Sequence, residues 1–262
     1  MKIKKIVEGM GWLARNLPRA LSFRFAAKAL SSCELLANGN PHPLHLVYLV
    51  DVIASIKPRA LKDAFHAIRI EAARLQRGDR ISVIPITGDA ENDAQGRILR
   101  MRVPEKRQPY DQDLVQFKRK FDAALESFER RALAHPYDHT DILGSIVLAA
   151  QEFAMDPPRV RGKLIIFSDF IEEGGRFNFM TDPRLASTER ARVFANSAGK
   201  KIPNFRGVSI FLGQLRSTEL GSMPQARSMA IQTFWLNYLI NEGAHDPEFV
   251  LDGPGLSYSD FR

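Results

Sequence analysis

Apolar residues in this chain occur in two kinds of run. In "PLHLVYLVD" (43–51) they are nearly continuous and stop on an aspartate, which reads as a strand buried on both faces. The same pattern returns in "RISVIPITG" (80–88), "GKLIIFSD" (162–169), "GVSIFLG" (207–213) and, more briefly, "EFVL" (248–251). Between these runs the apolar residues recur at helical spacing. Leu61, Phe65, Ile68 and Ala72 form one stripe in a helix expected over 58–79, with Gly78 as its stop signal. An amphipathic helix is expected from Gln112 to Leu133, a nearly all-apolar one over 142–154, and two more near 187–201 and 224–241. "RILRMRVP" (97–104) alternates apolar with polar, as a half-exposed edge strand should.

Strands that alternate with helices predict an α/β domain. The sheet is expected to be doubly wound and mostly parallel, with helices on both faces and one antiparallel edge strand. This domain is expected over 44–262, preceded by a basic, partly helical extension over 1–43. "QTFWLNYLI" (232–240) is expected to lay its aromatic face on the sheet.

Charge changes the picture only locally. The net charge is +7, and five of those seven charges belong to residues 1–43. The main domain is therefore close to neutral, which removes most of the support for nucleic-acid binding by the domain itself. In the extension, Leu13, Leu17, Leu21 and Phe25 make an apolar stripe over 12–29, with Arg15, Arg19 and Arg24 elsewhere on the wheel. Such a segment either packs on the domain or lies on an anionic membrane surface, a nucleic acid or a partner. "LSSC", ending at Cys33, fits the short pattern at which bacterial lipoproteins are cleaved, but Arg24 and Lys28 interrupt the apolar run before it. A cytoplasmic location is the expectation, with an exported lipoprotein anchored through Cys33 as the alternative.

One cysteine excludes an internal disulfide framework and any multi-cysteine zinc site. No G-x-S-x-G, H-E-x-x-H or P-loop pattern occurs. His135 and His139 in "HPYDHTD" are better read as a polar loop than as metal ligands, and His42 and His45 as loop residues at a strand start.

What stands out is oxygen. Asp51 and Asp169 each end a predicted buried strand, Ser55 follows the first, and Thr140 precedes the apolar helix at 142. In open α/β sheets ligands bind at the carboxyl ends of strands near the point where strand order reverses. Carboxylate and hydroxyl oxygens, without sulfur or imidazole, suit a hard cation such as Mg²⁺ or Mn²⁺. Taken singly, each residue has an ordinary role as a helix cap or turn former.

Taken together, "DVIAS" (51–55), "TDILGSI" from Thr140 and "IIFSDF" around Asp169 resemble the signature of a von Willebrand factor type A (vWA) domain. The resemblance covers about residues 44 to 251. It implies a doubly wound sheet with a metal-ion-dependent adhesion site, where Ser55 and Thr140 ligate Mg²⁺ or Mn²⁺ directly and Asp51 and Asp169 orient bound waters. It further implies a non-enzymatic module whose protein partner completes the metal shell with a carboxylate, meeting Asp141, Ser168 and Glu172 at the same rim. One departure is plain: the family's middle serine is Ile53 here, so one ligand is lost and water must replace it. A metal-dependent hydrolase on the same sheet, or a nucleic-acid-associated vWA-like protein, are the alternative expectations.

Overall fold

The computed structural model describes residues 42–250, apart from 95–96, 107–110, 135, 175–176 and 199–203. The basic stripe over 12–29, Cys33 and His135 lie outside the described residues. Residue 251, the last of "EFVL", does too.

Strand β1 (Leu44–Asp51) is followed by helix α1 (Pro58–Ala72), β2 (Arg80–Ile86) and the edge strand β3 (Leu99–Arg102). Helices α2 (Gln112–Ala134) and α3 (Ile142–Ala154) lead to β4 (Arg161–Ser168). Then come α4 (Thr188–Ala198), β5 (Val208–Gln214), the short α5 (Thr218–Ser222), α6 (Gln225–Asn241) and β6 (Glu248–Val250). The six strands form one sheet in the order β3-β2-β1-β4-β5-β6. All neighbours run parallel except β3, which pairs antiparallel with β2 from Arg80–Arg102 to Val83–Leu99. This is the vWA-like arrangement: doubly wound, mostly parallel, with one antiparallel strand.

The alternation of side chains along each strand builds two cores. Leu46, Tyr48 and Val50 of β1 join Ile165 and Phe167 of β4 on one face, under α1 and α2. Val47 and Leu49 join Leu164 and Ile166 on the other, under α3, α4 and α6. Strands covered on both faces must be apolar at every position, which is why these runs show no period of two. The aromatic cluster of α6 packs inward as expected, with Phe234, Trp235 and Tyr238 fully buried.

Helix α1 ends at Ala72, before the expected end at 79. The chain turns instead, and Gly78, at φ +85°, makes the left-handed turn into β2. His45 also departs from its reading as a loop residue. It lies within β1, buried, with Nδ1 2.7 Å from Asp156 Oδ2 and Nε2 3.0 Å from Ser82 Oγ. Ser82 in turn donates to Glu152, which Arg100 grips through two nitrogens. This network ties β1, β2, β3 and α3 together at the amino end of the sheet.

Candidate functional site

The chain runs β1, β2, β3 to one side and then returns to place β4 on the other side of β1. The strand order therefore reverses between β1 and β4, the position where sheets of this kind bind ligands. Parallel pairing sets Val50 beside Phe167, so Asp51 and Ser168 leave the sheet side by side at its carboxyl end.

Both aspartates are buried there. Asp51 Oδ2 accepts a 2.6 Å hydrogen bond from Ser168 Oγ, and its Oδ1 accepts from the Ile53 amide at 3.3 Å. Burial, followed by the neighbouring Asp169 charge, pushes the Asp51 carboxyl well above the usual carboxylate range. Asp169 is 1% exposed and accepts from the Ile171 amide through Oδ1 at 3.0 Å. Its Oδ2 has no hydrogen-bond partner among the described residues. Burial raises the Asp169 carboxyl to about 6, against the lowering effect of the nearby Ser217 hydroxyl.

The backbone that aims Asp169 is held from two directions. Phe170 sits at φ +66°, a left-handed conformation unusual for a bulky residue. Its amide donates to Ser168 Oγ at 2.9 Å, and its carbonyl accepts from Trp235 Nε1 at 2.9 Å. Backbone conformations of this cost persist where the surroundings over-determine them, and they concentrate at functional sites.

Thr140 reaches the same end from another direction. Its loop is pinned over β1 by the Ala54 amide to the Tyr137 carbonyl at 2.9 Å, and over β2 by the Asp141 amide to the Thr87 carbonyl at 2.8 Å. The Glu173 amide, in the loop after β4, donates to the Thr140 carbonyl at 2.9 Å. Thr140 is fully buried, yet its Oγ1 has no partner among the described residues. Ser55 follows β1; its carbonyl accepts from the Thr218 amide at 3.2 Å, and its buried Oγ is also unpartnered. It does not cap α1, whose N-cap is Lys57 without a side-chain bond.

The three residues expected to meet a partner have other work. Asp141 caps α3, accepting from the Gly144 amide at 2.8 Å. Glu172 is 1% exposed and accepts from the Ile142 and Leu143 amides at 2.9 and 3.0 Å, and from the Gly174 amide at 2.9 Å. Ser168 is fully buried against Asp51. Glu172 and Ser168 therefore shape the rim from within rather than face a partner. The physical reason is the free amides at the start of α3 and after β4, which require acceptors once buried. Burial pushes the Glu172 carboxyl up to about 8, against the lowering effect of its amide partners. Ile53 is buried too, its side chain part of the core beneath α1 and α2.

The donor set fits a small hard cation. Buried hydroxyls and carboxylate oxygens are normally hydrogen-bonded, but Ser55 Oγ, Thr140 Oγ1 and Asp169 Oδ2 are not. Thr87, buried at the end of β2, presents a fourth such oxygen close by that sequence reasoning passed over. Among the described residues no three His, Cys, Asp or Glu side chains stand together as a metal site. Any ion here would depend on the hydroxyls, which is the chemistry Mg²⁺ and Mn²⁺ accept.

Two clefts lie along the segment that follows β1, where Ile53 bridges to Tyr137. One, of about 260 Å³, is walled by Ile53, Ala54 and Ser55 and ringed by Asp138, Glu173 and Glu219. The other, of similar size, is lined by Val52, Phe128 and Tyr137 with Arg97 and Arg131. The Arg97 guanidinium lies 5.4 Å from the Tyr137 ring centroid. The acidic ring was not singled out in the sequence, where its members stand in three separate segments, two loops and the short α5.

No family model and no curated protein matches the chain. Solved structures do resemble it. An aerotolerance-related membrane protein from Bacteroides fragilis is 13% identical, over 80% of this chain and 92% of that one, with a TM-score of 0.41. A von Willebrand factor type A protein from Catenulispora acidiphila is 16% identical, over 75% of this chain and 42% of that one, with a TM-score of 0.38. The manganese-loaded TRAP protein of Plasmodium vivax is 13% identical, over 71% of this chain and 65% of that one, with a TM-score of 0.34. The fold assignment itself is carried by the strand order and directions given above.

Proposed function

Starting from a vWA-like fold, we propose that this protein is a non-enzymatic interaction module that binds a protein partner at the carboxyl-end rim of its sheet. A divalent Mg²⁺ or Mn²⁺ would be held at the switch point by the hydroxyls of Ser55 and Thr140, with Asp51 and Asp169 acting through water. The observation that carries this reading is the set of buried, unpartnered oxygens on Ser55, Thr140 and Asp169 at one end of the sheet. Burying such groups without partners costs about 1–3 kcal/mol each, and an ion would offset that cost at all three together.

The chain's own groups do the positioning. The Ser168 hydroxyl and the Ile53 amide fix the Asp51 carboxylate, and the left-handed Phe170 fixes the turn that carries Asp169. The ion, when bound, supplies positive charge to two buried carboxylates that otherwise repel each other. With Ile53 in place of a ligating serine, water fills the vacant position, which a magnesium shell tolerates.

Titration of the protein with Mn²⁺, followed by electron paramagnetic resonance, tests the ion. One bound Mn²⁺ per chain, displaced by Mg²⁺ and absent in Asp169→Asn, is the expected result. A full signal of free Mn²⁺ at millimolar protein would remove the metal from this reading.

A further inference from the structure

The rim is charged unequally, and the charge bears on what kind of group enters it. The cleft beside Ser55 has three carboxylates at its mouth, Asp138, Glu173 and Glu219, and no ion pair among the described residues engages them. Glu173 and Glu219 are close enough for their charges to act on Asp169, whose buried Oδ2 is unpartnered. The Ser55 hydroxyl in the wall of the cleft is unpartnered as well. Lys57 and Arg216 are joined through their backbones nearby and His139 is close enough to act on the Glu173 charge, but none of the three lines the cleft.

The arithmetic of charge is one-sided. Three carboxylates line this space, with Asp169 within electrostatic reach of two of them, and one divalent ion supplies two positive charges. Even with the ion bound, a partner's carboxylate would enter a region of net negative charge, which costs energy rather than gaining it. A cation entering the same cleft meets attraction and finds free acceptor oxygens for its N–H donors. In the cleft lined by Val52 and Tyr137, Arg97 and Arg131 repel that same cation. The acidic cleft is thus the part of this stretch of rim that selects for positive charge. At about 260 Å³ it falls just below the ~300 Å³ at which small-molecule sites begin, a size suited to one long side chain.

We propose that the partner presents a lysine or arginine side chain to this cleft, where Asp138, Glu173 and Glu219 receive it. The inference rests on the rim being the partner-binding surface, as above, and it replaces the carboxylate that the family resemblance implies with a group of opposite sign. The carboxylates that receive the cation are not the groups assigned to the ion, so binding of the cation does not require the ion.

The test uses the full-length protein with two labelled probes, a lysine decapeptide and a glutamate decapeptide, read by fluorescence anisotropy in Mg²⁺ and in chelator. The lysine probe should bind in both conditions and lose roughly tenfold in affinity in Glu173→Gln/Glu219→Gln. It should be unchanged in Asp122→Asn/Glu126→Gln, an equal change of charge on the exposed face of α2. The protein's net charge of +7 works against this result, so non-specific attraction does not produce it. A lysine probe that binds no better than the glutamate probe, or ignores the Glu173/Glu219 change, overturns the inference. A glutamate probe that binds only with Mg²⁺ and is lost in Thr140→Ala also overturns it, while sustaining the metal reading. A lysine probe that binds as expected to a protein that takes up no Mn²⁺ sustains the inference and retires the metal.

Discussion

Asp51 and Ser168, 117 positions apart in the chain, meet in a 2.6 Å hydrogen bond across the switch point of the sheet. The Ser168 hydroxyl also accepts from the Phe170 amide, so one side chain fixes both a buried carboxylate and the turn that carries Asp169. Ser168→Ala strands both groups. Urea unfolding should show a loss of about 2 kcal/mol or more, the cost of leaving buried polar groups unmade. An unchanged midpoint would mean that the bond does not organise the site.

Asp141 caps α3 only because residue 144 is glycine. A Cβ on Gly144 would lie 2.2 Å from Asp141 Oδ2. Alanine in a helix interior normally stabilises by up to about 1 kcal/mol over glycine. Here Gly144→Ala should instead destabilise by about 1 kcal/mol, because the cap to the Gly144 amide and the contact with the Ala90 amide are lost. The same urea titration decides the sign.

Three buried carboxyls set the pH dependence of the metal-free protein. Burial raises Asp51 well above its ordinary range, Asp169 to about 6 and Glu172 to about 8. Between the ordinary carboxylate range and these values the folded state holds more protons than the unfolded chain, so stability falls as pH rises. Melting in chelator should give its highest midpoint at mildly acid pH and decline towards about pH 8. Glu172→Gln should flatten the upper part of that decline. A midpoint that rises across this window would contradict the assignment.

Ile53 stands where the vWA signature has a serine, and its side chain is buried in the core. Ile53→Ser should therefore separate two properties. Without metal it should cost about 2–4 kcal/mol of stability, as large-to-small core changes do. With a third hydroxyl restored, Mg²⁺ affinity should rise by about tenfold or more, the scale on which ligand-shell changes act. Calorimetric titration of the variant against the parent protein measures the second effect. Equal affinities would place the ion elsewhere.

The sheet was legible because its strands carry their burial openly. The apolar runs at β1, β2, β4 and β5 cannot be exposed, and Asp51 and Asp169 marked where two of them end. The antiparallel β3 showed itself through its alternation. Less visible were residues whose role depends on a distant partner. His45 looked like a loop residue because nothing near it in sequence announces Asp156 or Ser82. Glu172 was expected to meet a partner at the rim, whereas the start of α3, thirty positions away, turns it inward. Asp138, Glu173 and Glu219 converge only once two loops and α5 are folded against each other.

The most direct test of the account compares thermal melting of the wild-type protein and Thr140→Ala, each with Mg²⁺ and with chelator. In chelator, Thr140→Ala should melt at or slightly above the wild-type temperature, because it removes a buried hydroxyl that has no partner. With Mg²⁺ at about 100 times its dissociation constant, the wild type should gain about 2.7 kcal/mol, a rise of roughly 5–10 °C, and the variant should gain little or none. If Mg²⁺ raises both proteins equally, or neither, the oxygens gathered at the switch point do not hold an ion.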